Sequence, residues 1–162
     1  MNRRVFLVVS SVGAAAALAA LLTYRGRAEK RPFNLRLGQD KCRRCGMIIG
    51  RLEFAAGLIL SEEDDWHYYD DVGCFFRDYA DYIGRGESVH DARVIDFKAR
   101  QLVDADKALY VAAEPKSLWT PMGYGVVALE KAEDAREVAE RYNGVLKTFN
   151  ELLDRARGSA KQ

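Results

Sequence analysis

Five sulfur-bearing side chains mark the positions at which this sequence could do chemistry. The stretch "CRRCGM" places Cys42, Cys45 and Met47 within six residues, Cys74 follows in "DDVGC", and Met122 lies in "TPMG". Cu(I) is a soft ion that prefers thiolate and thioether sulfur over carboxylates or hydroxyls. The residue types therefore favour a site for Cu(I), while a disulfide and simple packing of the sulfurs are the alternatives.

Two other kinds of sulfur chemistry remain open. A structural zinc site needs four ligands and usually takes two C-x-x-C pairs, but this chain has one pair. Cys74 together with His67 or His90 could complete such a site. A dithiol enzyme using Cys42 and Cys45 would place its C-x-x-C motif at the start of a helix, whereas the residues after Met47 lead into an apolar stretch typical of a strand.

The positions of Cys74 and Met122 suggest how they contribute. Asp70 or Asp71 is a good N-cap for the helix predicted from "VGCFFRDYADYI", so Cys74 should lie in its first turn. The helix dipole favours a thiolate there, while the neighbouring carboxylates raise the pKa of the thiol, so the sign of the net shift is open. Met122 lies between a proline and a glycine in a predicted loop, where binding explains a methionine better than packing does.

The predicted fold class is α+β, with two small ββαβ-type subdomains and mainly antiparallel sheets. The first subdomain, about residues 42–98, contains "EFAAGLIL" and "WHYY" as strands, then the helix, then "ARVIDF" as a strand. The second, about residues 103–156, contains "ALYVAA", "YGVVAL", the helix "KAEDAREVAERY" ending at Asn143-Gly144, and "VLKTF". Residues 42–156 form the predicted folded part, with 157–162 as a disordered tail.

The N-terminus carries the one strong asymmetry of the chain. Residues 1–24 are predicted to be an export signal or an uncleaved membrane anchor, because the apolar run from Val5 to Leu22 is long enough to span a bilayer. Arg3 and Arg4 before this run resemble a twin-arginine signal, and residues 25–41 read as a linker. We therefore expect a protein on the periplasmic side of the cytoplasmic membrane, anchored there or released after cleavage. The balance of 25 basic and 24 acidic residues gives no indication of nucleic-acid binding.

Taken together, the motifs resemble the NosL family of nitrous oxide reductase accessory proteins. The resemblance rests on "CRRCGMIIG", "WHYYDDVGCFF" and "TPMGYGVVAL" in that order and spans about residues 40–150. It implies an exported, membrane-attached protein without turnover that binds Cu(I) and supplies copper to nitrous oxide reductase or another copper client, together with its maturation proteins. It also implies Cys45, Met47 and Met122 as the first ligands, with Cys42 and Cys74 behind them.

Two features qualify the resemblance. Family members are commonly lipoproteins, but no cysteine lies near residue 23, so a lipid anchor is excluded and the apolar helix can replace it. The family fold also resembles that of organomercurial lyase, which keeps a lyase-like enzyme using Cys42 and Cys45 among the alternatives.

Overall fold

The computed structural model describes residues 31–159, of which those from Phe33 onward belong to one compact unit. The predicted signal or anchor, residues 1–24, lies outside the described residues. Within residues 31–159, no helix is long and apolar enough to cross a membrane.

The first half of the unit is a four-stranded antiparallel sheet covered by one helix. Its strands are β1 (Ala56–Leu60), β2 (His67–Tyr69), β3 (Val89–Ile95) and β4 (Leu102–Asp104), in the order β2-β1-β3-β4. Helix α1 (Val72–Gly84) follows β2 after two residues and buries its aromatic face on the sheet. This short connection fixes the position of "DDVGC" at the edge of the sheet.

The second half repeats the order with a three-stranded antiparallel sheet. Its strands are β5 (Leu109–Ala112), β6 (Val126–Leu129) and β7 (Val145–Lys147), in the order β6-β5-β7, with α2 (Ala132–Tyr142) between β6 and β7. Helix α2 ends at Asn143, whose φ of 50° is left-handed, a conformation that asparagine tolerates at a helix C-terminus. Gly144 serves close packing instead, since a Cβ there would lie 2.8 Å from Val111.

The α+β prediction and the repeated order of two strands, a helix and a strand are confirmed, with β4 as a strand that the sequence did not reveal. The two halves share a buried core, and Asp96 forms a bridge with Ala128 that joins the sheets. The Asp96 carboxylate also accepts a hydrogen bond from the backbone N–H of Glu130 at 2.7 Å. The two predicted subdomains are therefore halves of one compact unit.

Several predicted boundaries differ from the structure. Phe33, predicted to lie in a linker, packs edge-on against Trp66 and Tyr68 at 4.9 and 5.1 Å between ring centroids. "EFAAGLIL" begins as a short 3-10 turn, Leu52–Phe54, before β1. The C-terminal segment forms helix α3 (Phe149–Ser159), which runs past the predicted boundary at 156 because its apolar face is buried against α1.

Candidate metal centre

The "CRRCGM" motif forms a tight hairpin turn. Lys41 and Ile48 pair as an antiparallel bridge that closes it. Inside the turn, the N–H of Cys42 donates to the Met47 carbonyl at 2.8 Å, and the N–H of Gly46 donates to the Cys42 carbonyl at 2.9 Å. Gly46 has φ 76°, a conformation that glycine adopts without a steric penalty. The glycine of Cys-Gly-Met is thus required by the turn.

The two arginines between the cysteines attach this hairpin to the rest of the fold. The N–H of Arg43 donates to the Tyr68 carbonyl on β2 at 2.8 Å. The Arg44 guanidinium contacts two carboxylates of α1, those of Asp78 and, at 2.8 Å, Asp81. The motif is therefore fixed against both β2 and α1, the helix that carries Cys74.

Asp70 and Asp71 have different roles at the start of α1. Asp71 is the N-cap, and its Oδ1 accepts a hydrogen bond from the N–H of Gly73 at 2.7 Å. Cys74 accordingly lies in the first helical turn, as predicted. Asp70 Oδ1 lies 3.4 Å from the Cys45 sulfur, while Asp70 Oδ2 is buried with no hydrogen-bond partner among the described residues. A buried carboxylate oxygen in that state is costly unless a ligand satisfies it.

Four donor atoms converge at this point. The sulfurs of Cys42, Cys45 and Cys74 and a carboxylate oxygen of Asp70 lie within 4.8 Å of one another. Cys42, Cys74 and Asp70 are at most 3% exposed, whereas Cys45 is half-buried and forms the outer side of the group. A tetrahedral ion with metal–sulfur bonds of about 2.3 Å separates its donors by roughly 3.8 Å. The four residues can therefore surround one metal ion with little movement.

The three thiols differ in acidity. The Cys74 thiol donates a hydrogen bond to the Cys42 sulfur, and this bond, helped by N–H donors of Cys45 and Asp70, lowers the pKa of Cys42 to about 7 although burial opposes it. The same bond, followed by burial, raises the pKa of Cys74 far above its usual range. Burial raises the pKa of Cys45 to about 11. Cys42, rather than the helix-capped Cys74, is therefore the first thiolate of the group.

This order of acidity gives a testable pH dependence. In the reduced, metal-free protein we expect one thiolate to appear with a midpoint near pH 7, because Cys42 loses its proton while Cys74 keeps its own. Below that pH an incoming metal ion must displace the proton of Cys42. The number of protons released per metal ion bound should therefore fall by about one as the pH rises from about 6 to about 8. Thiolate ultraviolet absorbance measures the first quantity and calorimetry the second. The Cys74→Ala variant should raise the midpoint; an unchanged midpoint would contradict the assigned hydrogen bond.

The loop that carries Met122 meets the same helix start. The N–H of Met122 donates to Asp71 Oδ2 at 2.9 Å, and the Thr120 hydroxyl also donates to this carboxylate. Beside it, the Tyr124 ring lies so close to Gly73 that a Cβ there would be 2.1 Å from the ring. The consecutive carboxylates Asp70 and Asp71 thus contact the Cys45 thiol and the Met122 backbone, respectively.

The remaining predicted donors lie outside the four-residue group. Met47 is 49% exposed and Met122 is 38% exposed, both on the loops just described. His67 is buried, with Nδ1 2.9 Å from the Tyr82 hydroxyl and Nε2 2.6 Å from a Glu63 carboxylate oxygen. His90, predicted to lie in a loop, is an exposed residue of β3. Neither histidine belongs to the four-residue group, so this geometry gives no support to a zinc site completed by His67 or His90.

Asp70 is the member of the group that sequence reasoning missed. From the sequence alone it has, together with Asp71, a role as a possible N-cap and an effect on the pKa of Cys74, but no role as a ligand. A helix takes one N-cap residue, so two consecutive acidic residues before "VGC" leave one carboxylate without a capping role. That surplus was the available signal, but nothing in the sequence gave its distance to Cys45.

The fold and the site define a small two-sheet α+β protein with a cluster of three thiols and one carboxylate, suited to bind a metal ion, at the start of its first helix. Residues 34–156 match the sequence model of the NosL family, and this chain belongs to that family. The crystal structure of the copper chaperone NosL from Shewanella denitrificans has a similar fold, with a TM-score of 0.61 and 20% sequence identity over 76% of this chain and 96% of that one. No curated protein sequence matches the chain.

Proposed function

We propose that this protein is a metallochaperone that binds Cu(I) and passes it to a copper protein. The observation that carries the proposal is the convergence of three thiols, two of them buried, from a fixed hairpin and a helix N-terminus. Thiolate sulfur is the donor type that Cu(I) prefers. Membership of the NosL family and the fold shared with a NosL described as a copper chaperone support the same reading.

The arrangement suggests a division of work among the sulfurs. Cys42 and Cys74 form the buried part of the pocket, and Cys45 forms its solvent side. Met47 and Met122 are exposed thioethers on the two adjoining loops, where they can meet an ion that enters or leaves. In this proposal all five sulfur residues contact copper, the cysteines in storage and the methionines in transfer.

Family membership and the N-terminal sequence support a proposal for the client and for the location. We propose nitrous oxide reductase, or another copper enzyme with its maturation proteins, as the recipient. The apolar run after Arg3 and Arg4 supports twin-arginine export and attachment to the periplasmic side of the cytoplasmic membrane. In this proposal the protein turns over no substrate.

An anaerobic titration of the reduced, full-length protein with Cu(I) against a competing chelator tests the proposal. We expect tight binding of Cu(I) that X-ray absorption shows to be dominated by sulfur donors. Absence of Cu(I) binding would refute the proposal. Turnover in dithiol exchange or carbon–mercury cleavage that Cys45→Ala abolishes would support an enzyme instead. The geometry disfavours a dithiol enzyme, since the C-x-x-C pair lies in a hairpin and not at a helix start.

Zinc is a second candidate for one specific reason, which is the Asp70 carboxylate. Zn²⁺ takes sulfur and carboxylate ligands in tetrahedral sites with four protein ligands. Three cysteines and one aspartate supply that number here. Cu(I) binds thiolates and has little affinity for carboxylate oxygen, so Asp70 should matter for one ion and hardly for the other.

The Asp70→Asn substitution separates the two ions. We expect it to lower Zn²⁺ affinity by about 10-fold or more, since a first ligand is lost, and to change Cu(I) affinity by less than about 3-fold. Competition titrations with each ion measure both values, and Asp65→Asn, an exposed carboxylate in the turn between β1 and β2, is the matched control. A large loss of Cu(I) affinity in Asp70→Asn would show that the carboxylate holds the cargo itself.

A further inference from the structure

Exposed apolar side chains are concentrated on the two chain segments that carry Cys45 and Met122. Eight large apolar side chains are exposed among residues 31–159, and five of them lie on the two loops at the pocket: Leu37, Met47, Ile48, Trp119 and Met122. We call these five residues the exchange face. Ile48 and Trp119 are 56% and 58% exposed, values that are unusual for such large apolar side chains in this fold. Clusters of this kind mark interaction sites more often than isolated residues do.

The two loops are held in place by one contact to an exposed ring of the face and by two contacts to the start of α1. The Arg51 guanidinium, three residues after Ile48, lies over the Trp119 ring at 5.7 Å from its centroid. The Met122 N–H and the Cys45 thiol contact the consecutive carboxylates Asp71 and Asp70. The exchange face is therefore positioned before any partner arrives, and Cys45 opens beside it.

The strip of chain that carries most of this face is basic. Residues 36–51 contain five basic side chains and one acidic side chain. Carboxylates neutralise three of the basic groups: Arg36 pairs with Asp40, Arg44 with Asp78 and Asp81, and Arg51 with Glu53. The positive surplus comes from the other two, Lys41 and Arg43.

Lys41 and Arg43 differ from the neutralised groups in their surroundings. Lys41 is exposed and pairs across the hairpin with Ile48, so its side chain emerges on the same side as an apolar member of the face. The exposed Arg43 guanidinium interacts most strongly with the Tyr82 hydroxyl, a neutral group, and the Glu63 carboxylate attracts it more weakly. On the second loop, Glu114 and Lys116 are both exposed and offset each other.

We propose that the exchange face docks a protein partner whose own surface has an apolar centre and an acidic rim. This deepens the proposed function and rests on it, since docking here places the partner's donors beside Cys45. Like charge disfavours two other occupants. A second copy would bring the basic strip against itself, and the N-terminal segment, residues 1–31, has six basic residues and one acidic residue. Complementary charge speeds association and fixes orientation more than it adds affinity.

Two synthetic acceptor peptides of equal length test this proposal. Both carry the same Met-Gly-Met core, one flanked by glutamates and the other by lysines. With the full-length, Cu(I)-loaded protein we expect copper transfer to the acidic peptide to be about 10-fold faster at low salt, with a ratio that shrinks as salt screens the charges. Transfer rates come from rapid mixing with optical detection of the copper-loaded peptide.

Charge substitutions provide the decisive comparison. Lys41→Glu with Arg43→Glu should invert the preference, which is measured within each variant as the ratio of the transfer rates to the two peptides, so that a change in Cu(I) affinity common to both rates cancels. Lys131→Glu with Arg136→Glu alters the same net charge on exposed residues at α2 and should have no effect on the preference. Equal rates for both peptides, or equal effects of the two double variants, would overturn the proposal. So would binding to phosphatidylserine vesicles that Lys41→Glu with Arg43→Glu removes, since that result assigns the face to a membrane.

A metal-free readout separates this proposal from the copper function. Trp119 is exposed, so docking of the acidic peptide should shift the tryptophan fluorescence of the metal-free protein, and Trp119→Phe should remove that shift. If Cu(I) fails to bind while the shift is present, the proposed cargo is wrong and the docking face stands. If Cu(I) binds and neither the shift nor the transfer preference appears, the docking face is wrong.

Discussion

Replacing Cys42 by serine is expected to lower Cu(I) affinity by more than about 100-fold. Loss of a partner outside the ligand shell of a metal typically costs about 10–100-fold, and Cys42 is assigned as a ligand. Its sulfur receives hydrogen bonds from the Cys74 thiol and from two backbone N–H groups, which makes it the thiolate of the group near pH 7. Competition with a Cu(I) chelator under anaerobic, reducing conditions measures the loss.

Three further variants test whether Cu(I) affinity depends mainly on the buried cysteines or on the exposed methionines. Met47→Leu and Met122→Leu keep the size and apolar character of exposed side chains, so they should change affinity by only a few-fold. Cys45→Ser should lie between these variants and Cys42→Ser. If Met122→Leu abolishes binding while Cys42→Ser retains it, the site lies at the exposed loops and the four-residue group is not the copper pocket. Circular dichroism of Cys42→Ser checks that the buried position tolerates serine.

Local patterns in the sequence carried most of the fold. Short apolar runs broken by turn residues gave the strands, and the 3.6-residue spacing in "VGCFFRDYADYI" gave α1 with its aspartate cap. β4 was missed because three residues, Leu102–Asp104, show too little alternation to stand out. The packing of Phe33 against Trp66 depends on partners more than thirty residues away, which local pattern does not report.

The sequence pointed to the three cysteines of the four-residue group, but it did not identify Asp70 or the arrangement of the four side chains. The family resemblance ranks Cys45, Met47 and Met122 ahead of Cys42 and Cys74 as ligands, whereas the structure buries Cys42 and Cys74 deepest and leaves both methionines exposed. The reason is tertiary. Ion pairs from Arg44 to α1 and the hydrogen bond from Arg43 to Tyr68 bring the hairpin over the helix start. Which sulfurs hold copper remains a prediction, and the variants above test it.

Asp71, next to Asp70, connects the start of α1 with the loop that carries Met122. The Asp71 carboxylate is buried and accepts hydrogen bonds from the Gly73 and Met122 N–H groups and from Thr120. Its pKa is raised by burial, with those three donors opposing the shift. One side chain thus caps α1 and ties down the Met122 loop, which links helix formation to closure of the site.

The same link makes Gly73→Ala the substitution with the largest expected effect on folding. A Cβ at Gly73 would lie 2.1 to 2.4 Å from three atoms of Tyr124, one of which is the Cβ of Tyr124. Because that atom cannot rotate away, the loop that carries Tyr124 must move. Overpacking of this kind costs about 1–3 kcal/mol. Because Met122 is two residues before Tyr124, the displacement should also weaken the Met122 contact with Asp71 and slow copper transfer.

Gly84→Ala on the same helix is the control that isolates the contact with Tyr124. Gly84 is exposed, and a Cβ there would meet no atom within 4 Å. Alanine restricts the unfolded chain and suits a helix better than glycine does, so this variant should gain about 0.4–1 kcal/mol. Denaturant unfolding of both metal-free variants gives the two free energies. Changes of opposite sign are expected, because both sites gain the helical preference of alanine but only Gly73 faces an aromatic ring. Equal stabilisation would mean that the Tyr124 loop does not pack on the start of α1. The contact that places Met122 beside the cysteines would then also be wrong.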